Sequence, residues 1–276
     1  MSTAVVGGFR GLLREWSVAR VTWITDLTQG GRVLSAVVML TAQLVLVKAL
    51  WHALYHGVGT QAGLDERQAT TYALLAVLYT RFRMANRYAA RDTVLQHVLE
   101  GSVGYWFLRP VDARRYYLIR AVGDLAYGAV WGAAAGGVCL ALGVIAPPAS
   151  ASAGAAAAAS MVLGLVLTYY LQSAIELLCF WTVVNAQAFV IYQFAQNFLS
   201  GAFAPLVFFP AWFVSADAWL PFQGTLNVPI SLYVGQAPLD ALPHDLLVQV
   251  VWCLLLAVFV GWLWRLAARR VTVLGG

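Results

Sequence analysis

The sequence has little charge for its length. Of its 276 residues only 11% are Asp, Glu, Lys or Arg, whereas 61% are hydrophobic. Soluble domains carry about 25% charged residues, so this composition excludes an ordinary soluble protein. Lysine is almost absent: Lys48 is the only one, and the arginines lie beside apolar runs. Arginines in such places set membrane topology, so the net charge of +5 does not indicate nucleic-acid binding.

The motifs of common catalytic sites are also missing. Lys48 lies inside an apolar run, which rules out a phosphate-binding GxxxxGK[ST] loop, and neither GxSxG nor HExxH occurs. The cysteines are far apart inside apolar runs, a pattern typical of buried free thiols: Cys139, Cys179 and Cys253. We therefore expect no catalytic residue, no metal site and no directly bound cofactor. Charged residues interrupt positions 1–30, so no cleavable signal peptide is expected.

Long apolar runs predict helices that cross a membrane. A helix rises about 1.5 Å per residue, so roughly 20 apolar residues span the hydrocarbon. Residues 3–27, within an N-terminal segment 1–30, instead predict an amphipathic helix that lies in the membrane interface. Arginines that end the second run are expected to extend to the interface. Six spans are predicted, at residues 33–54, 69–83, 118–145, 153–173, 177–199 and 246–264.

The positions of the arginines predict the orientation. Residues 81–120 hold eight of the 17 Lys and Arg residues, and most of the others lie near the two ends. The positive-inside rule then places both termini and residues 84–117 in the cytoplasm. No Lys or Arg occurs between Arg120 and Arg265. Because both of these arginines are assigned to the cytoplasmic side, an even number of crossings must separate them. Residues 201–245, which include several prolines, are therefore predicted to form a re-entrant or interfacial hairpin at the outer face.

Within the cytoplasmic segment, an apolar stripe predicts a short amphipathic helix. Its members recur at helical spacing: Val94, Leu95, Val98 and Leu99. Asp92 suits the start of such a helix, and Gly101 with Pro110 marks its end. An interfacial helix without a partner would have the same pattern.

Two polar groups lie inside the predicted spans. Amides interrupt the fifth span at Asn185, Gln193, Gln196 and Asn197. In hydrocarbon such amides either bond across helices or line a pathway, and both interpretations stay open. Lys48, His52 and His56 share one face of the first span. They fit an outer membrane boundary better than a cation site, because their own helix supplies no carboxylate.

Three stretches carry a resemblance to a known family. They are GSVGYWFLRPV at 101–111; Phe180-Trp181 followed by Pro205, Phe209-Pro210 and Leu220-Pro221-Phe222; and the tail from Arg269-Arg270 to Gly275-Gly276. In this order the chain resembles an ABC-2 type transport permease of the six-span bacterial type. The resemblance implies a single all-α membrane domain over residues 1–276, located in the cytoplasmic membrane.

The same resemblance implies partners and a coupling site. Such a permease is a non-catalytic exporter subunit that pairs with a second, identical or homologous permease and with ABC ATPase subunits, which bind ATP and Mg. It implies that a coupling helix within residues 92–110 docks on the ATPase, with contacts from the apolar stripe and its flanks: Val94, Leu95, Val98, Leu99, Glu100, Gly101, Arg109 and Pro110. A membrane enzyme acting on lipid-like substrates and a passive channel or scaffold subunit remain the alternatives.

Overall fold

The computed structural model describes residues 30–57, 59–83, 94, 113–182 and 185–274. Within these residues the protein is all-α apart from one small β-ribbon, as predicted. The helices are α1 Gly30–Tyr55, α2 Glu66–Arg83, α3 Ala113–Ala141, α4 Ala151–Leu177, α5 Asn185–Leu199, α6 Ala211–Asp217, α7 Asn227–Val234 and α8 Leu242–Leu274. Short 3₁₀ turns occur at Leu178–Phe180, Leu206–Phe208, Gln223–Thr225 and Leu239–Ala241.

Four of the described helices are long and apolar enough to cross a membrane. They lie at Val33–Tyr55, Arg114–Ala141, Ala151–Phe180 and Leu242–Arg270. Large apolar side chains such as Leu46 and Val258 are mostly exposed on the outer surface of these helices. Contiguous apolar surface of this kind is stable in lipid rather than in water.

Helices α3 and α4 begin and end at other residues than the third and fourth predicted spans. The third helix begins at Ala113, inside the segment 84–117 that we assigned to the cytoplasm, and ends at Ala141. It stops early because Gly143 adopts a positive φ of 66°, a conformation that commonly terminates a helix. The fourth helix is longer than predicted, and Ser150 caps it by accepting a hydrogen bond from the Ala153 amide.

The prediction of one continuous fifth helix over 177–199 was wrong. Helix α4 ends at Leu177, a 3₁₀ turn follows, and α5 begins only at Asn185. Hydropathy cannot register this break, because the residues of the turn are themselves apolar and pack back onto the core. Phe180 is buried against Trp264 of α8, with ring centroids 6.5 Å apart. The 15 residues of α5 rise roughly 22 Å at 1.5 Å each, less than the hydrocarbon thickness of about 30 Å.

The connection between α1 and α2 is a tight hairpin. Strands β1 (Thr60–Gln61) and β2 (Leu64–Asp65) pair antiparallel. Both residues of the turn between them have positive φ, 50° at Ala62 and 79° at Gly63. Two-residue turns with this geometry match the twist of the flanking strands, so α1 and α2 lie antiparallel as neighbours.

Helix α4 is the centre of the bundle, and both α7 and α8 pack along it. Small buried residues recur along one side of α4: Ala153, Ala156, Ala157, Ser160 and Gly164. Small side chains allow helix backbones to approach closely. At Gly164 the approach is tight enough that a Cβ atom would lie 2.8 Å from the carbonyl oxygen of Gly224.

Residues 201–241 form short helical turns instead of one long helix. Pro205 and Pro210 each precede a short helical element, as expected for a residue that cannot donate a backbone hydrogen bond inside a helix. Three phenylalanines pack together where this region meets α5: Phe209 stacks on Phe213, and Phe198 meets both rings edge-on. Two tryptophans remain on the surface, with Trp219 82% exposed.

Candidate functional site

A polar stripe runs along the buried side of α5. Gln196 and Asn197 lie three and four residues after Gln193, and Ser200 follows them by four and three residues, so the four side chains share one face of the helix. Gln196 and Ser200 are buried, and Gln193 and Asn197 are partly exposed. The opposite side of α5 is apolar and open, with Ile191 and Phe194 mostly exposed. Helix α5 therefore separates a polar interior from an apolar exterior.

Arg83 meets this stripe from the end of α2. Its side chain is only 6% exposed. Nη2 donates to Oδ1 of Asn197 over 2.9 Å, and Nη1 donates to Oγ1 of Thr225 over 3.4 Å. The guanidinium carbon also lies 5.8 Å from the ring centroid of Tyr79. Arg83 thus joins α2, α5 and the 3₁₀ turn Gln223–Thr225.

The hydrogen-bond partners of Arg83 among the described residues are both neutral. Among the described residues no carboxylate contacts the guanidinium, and its Nε has no hydrogen-bond partner. Thr225 is oriented to accept, because its own hydroxyl donates to the carbonyl of Phe222 over 2.7 Å. Removing an ion from water costs several kcal/mol, and neutral dipoles offset only part of that cost. Arg83 is therefore a buried cation without a counter-charge in the described part of the chain.

Gln196 extends the polar face of α5 to α4, and Ser200 lies one turn further along the same face. The Nε2 of Gln196 donates to Thr168 over 3.3 Å, and Thr168 donates to the carbonyl of Gly164. Oε1 of Gln196 and Oγ of Ser200 have no hydrogen-bond partner in the described structure, although both residues are buried. We call Arg83, Gln196, Asn197, Ser200 and Thr225 the Arg83 cluster. It combines a cation with polar atoms that are left unsatisfied.

A second buried polar network differs because its hydrogen bonds are complete. Gln249 of α8 accepts from Ser160 Oγ over 3.0 Å and donates to the carbonyls of Ser160 and Gly224. No atom of the Gln249 side chain is left without a partner. This network fastens α8 to α4 and to the turn at Gly224. The sequence contains one signal for this network, the single amide of Gln249 within an otherwise apolar run.

The structure brings together part of the predicted pathway group. Gln196 and Asn197 both belong to the Arg83 cluster, and Gln193 lies on the same face. Asn185 is the first residue of α5, and its side chain lies outside the described part. A role of these four residues in lining a pathway stays a prediction.

Arg83 itself was assigned the wrong environment. We expected the arginines that end the second span to extend to the membrane interface. Arg81 is exposed in that way, but Arg83 is buried. Two residues correspond to about 200° around a helix at 3.6 residues per turn, so the two side chains leave α2 on different sides.

Of the predicted coupling residues, only Val94 falls in the described part of the chain. Its side chain is 3% exposed. It belongs to an apolar cluster built from the end of α4, the following turn and α8: Leu177, Cys179, Phe180, Val260, Leu263 and Ala267. The other predicted coupling residues lie outside the described residues: Leu95, Val98, Leu99, Glu100, Gly101, Arg109 and Pro110.

The face of α1 with Lys48, His52 and His56 meets a carboxylate from the next helix. His52 Nδ1 lies 2.6 Å from Glu66 Oε1, and both side chains are well exposed. The described residues contain no group of three or more His, Cys, Asp or Glu residues that could hold a metal. This pair therefore resembles a surface contact between α1 and α2, which contributes little to stability.

The apolar helices and the absence of an ordinary soluble composition define a multi-pass helical membrane protein. A family model described as "ABC-2 family transporter protein" matches residues 37–275, most of the chain. The chain belongs to that family. Its members are generally the non-catalytic transport subunits of ABC transporters and generally work with an ABC ATPase. No match was found among curated proteins or among solved structures.

Proposed function

We propose that this chain is the permease subunit of an ABC exporter, driven by ATP hydrolysis in separate ATPase subunits. Family membership and the four long apolar helices support this function. ATP and Mg would bind to the ATPases, and this chain would supply the route through the cytoplasmic membrane. A second permease, identical or homologous, would complete the route.

The observation that carries the coupling part of the proposal is the burial of Val94. Val94 comes from the cytoplasmic segment 92–110 and is buried among residues of α4 and α8. Those two helices also pack extensively against each other at the centre of the bundle. A force applied to the segment by an ATPase would therefore act directly on the central helices. A nucleotide shifts the equilibrium between two conformations of a transporter only if it binds them with different affinities. The Val94 contact would transmit that shift from the ATPase to α4 and α8.

In the proposed topology, α2 and α5 add two crossings to the four long helices. The 18 residues of α2 rise about 27 Å, which is close to the hydrocarbon thickness. Helix α5 would cross together with the turn that precedes it. Both termini would then be cytoplasmic, in agreement with the positive-inside rule. The short helices at residues 201–241 would form the outer re-entrant or interfacial hairpin.

Co-purification tests the proposal. The chain is expressed with each ABC ATPase whose gene adjoins its own, and the complex is isolated through a tag on the permease. We expect one ATPase to remain bound and to hydrolyse ATP in reconstituted membranes. Glu100→Arg should lower that hydrolysis without changing the thermal midpoint. Asp240→Arg, the same charge reversal at an exposed position far along the chain, should not.

Each contrary result has a separate meaning. Failure of every adjoining ATPase to bind would contradict the permease function. Hydrolysis that ignores Glu100→Arg would contradict the position of the coupling segment. Turnover of a lipid substrate by the purified chain alone would favour a membrane enzyme, and flux without nucleotide would favour a passive channel.

A further inference from the structure

We propose that the Arg83 cluster binds the anionic group, a phosphate or carboxylate, of an amphipathic substrate. The inference rests on the proposed transport function and names the substrate class that the permease would take. It starts from a comparison within the bundle. The Gln249 network shows that this fold can satisfy every polar atom of a buried amide. In the Arg83 cluster two groups that can donate, Arg83 Nε and the Ser200 hydroxyl, have no partner among the described residues.

Within the described residues, the component that the Arg83 cluster lacks is negative charge. Asp217 is the acidic residue buried in the described part of the chain, and both of its carboxyl oxygens lack hydrogen-bond partners. It therefore does not neutralise Arg83. A guanidinium presents its N–H groups as a planar fork that matches the two oxygens of a carboxylate or phosphate. An incoming anion would meet the unused Nε donor of Arg83.

The surface next to the cluster fits the apolar part of such a substrate. Asn197 and Gln193 are partly exposed, so the polar stripe reaches the surface of the chain. On the same helix, Ile191 and Phe194 are 70% and 64% exposed. A head group could therefore contact Asn197 and Arg83 while an acyl or alkyl chain lies along the apolar side of α5. Neither a small inorganic ion nor an uncharged lipid would use both surfaces.

The cluster also lies close in sequence to the coupling segment. Arg83 is the last residue of α2, and residues 92–110 follow it along the chain. Neutralising the charge of Arg83 would change the free energy of the last turn of α2, which precedes that segment in the sequence. Substrate binding would in this way alter the conformational preference that the ATPase senses.

The test uses the permease–ATPase complex in phosphatidylcholine nanodiscs. The probe is dodecyl phosphate, and dodecyltrimethylammonium serves as its cationic counterpart with the same chain length. Binding is measured by titration calorimetry. We expect dodecyl phosphate to bind wild type at least about tenfold more tightly than the cation. Arg83→Gln should remove most of that preference, Arg83→Lys should keep part of it, and Arg81→Gln, on the exposed side of the same helix, should keep all of it.

Two further arms identify the source of the anion. Nanodiscs that contain phosphatidylglycerol should weaken dodecyl phosphate binding to wild type but not to Arg83→Gln if lipid head groups are the natural ligands. Inorganic phosphate should compete in the same Arg83-dependent way if a free anion is sufficient. Both outcomes agree with an anion site at Arg83, and they show whether its natural ligand is a lipid head group or a free anion.

The proposal is overturned if Arg83→Gln and wild type bind dodecyl phosphate equally. A purely structural role of Arg83 would lower the thermal midpoint of Arg83→Gln and leave the phosphate preference intact. Should Arg83→Gln fail to fold, the comparison of Arg83→Lys with Arg81→Lys gives the same decision. Co-purification and basal ATP hydrolysis are measured in parallel, so a failure of the anion site is distinguishable from a failure of the transport function.

Discussion

Nη2 of Arg83 donates a 2.9 Å hydrogen bond to Oδ1 of Asn197 and thereby ties the end of α2 to the last turn of α5. The two residues are 114 positions apart in the chain. The bond joins a full charge to a neutral amide in a buried environment. Its energy is therefore sensitive to any change that adds or removes charge at either residue.

Asn197→Asp should place a carboxylate opposite Arg83. A charge-assisted hydrogen bond contributes roughly 1.5–3 kcal/mol, against about 0.5–1.5 kcal/mol for an ordinary one, and the new pair would offset the buried cation. We expect a higher thermal midpoint of the substrate-free protein, with weaker binding of dodecyl phosphate because the carboxylate occupies the anion position. Asn197→Leu is the comparison and should lower the midpoint. A lower midpoint for Asn197→Asp as well would contradict an uncompensated charge on Arg83.

Gly128→Ala should separate α3 from α2. A Cβ atom at Gly128 would collide with the backbone carbonyl oxygen of Phe82, which cannot rotate away. Overpacking of this kind costs about 1–3 kcal/mol. On the same helix, a Cβ at Gly137 meets no atom within 4 Å. Gly137→Ala should therefore be neutral or stabilising by about 0.5–1 kcal/mol, and thermal midpoints in detergent measure both. Equal effects of the two variants would mean that α2 and α3 are not in close contact.

Asp217 should make stability depend on pH. Burial raises the pKa of its carboxyl group to about 6, although the nearby Gln223 amide acts in the opposite direction. The amide of Gln223 itself donates to the carbonyl of Val214. Since the folded pKa lies above the usual value of about 3.9, the folded state holds its proton more tightly than the unfolded state. The contribution of Asp217 to the free energy of unfolding is then most favourable below pH 4 and falls as the pH rises towards 6.

Asp217→Asn removes that titration. The variant should be more stable than wild type at pH 8, and the difference should shrink as the pH falls from about 6 to below 4. Thermal midpoints across this range measure the effect. Asp240→Asn, at an exposed position, is the control and should show no such trend. A constant difference between Asp217→Asn and wild type at every pH would show that Asp217 does not titrate in this interval.

Val94→Ala should weaken the contact between the coupling segment and the central helices. Burial of each methyl-sized group contributes about 0.8 kcal/mol, so the substitution should cost about 2 kcal/mol at this buried position. We expect ATP hydrolysis by the complex to respond less to transported substrate while the ATPase remains bound. Val258→Ala, which removes the same atoms from an exposed position, should leave the response unchanged. If substrate changes ATP hydrolysis equally in Val94→Ala and Val258→Ala, Val94 does not take part in coupling.

Much of the fold follows from elementary patterns. Apolar runs of sufficient length predicted the helices now seen at Gly30–Tyr55, Ala151–Leu177 and Leu242–Leu274, because a lipid-facing helix must be apolar along its whole length. Prolines correctly indicated that residues 201–241 contain no long helix. The helix break before Asn185 was not predictable, because the turn at Leu178–Phe180 is as apolar as the helices that flank it.

The candidate site was only half predictable. Amides inside an apolar run drew attention to Gln196 and Asn197, since polar groups in hydrocarbon need partners. Their partners were not visible: Arg83 and Thr225 are distant in sequence and come from different elements. Arg81 and Arg83 are two residues apart at the end of the same helix, and only the position of α2 in the bundle decides which of them is buried.

The sequence by itself determined that this is a multi-pass helical protein, where its long apolar runs lie, and which family it belongs to. These properties depend on composition and local sequence pattern, which can be read without knowing any tertiary contact. The tertiary structure alone decided which cation is enclosed, which amide meets it, and which polar atoms are left without partners. Such facts depend on how helices are rotated and placed against one another, and a rotation of one helix by half a turn would exchange the roles of Arg81 and Arg83.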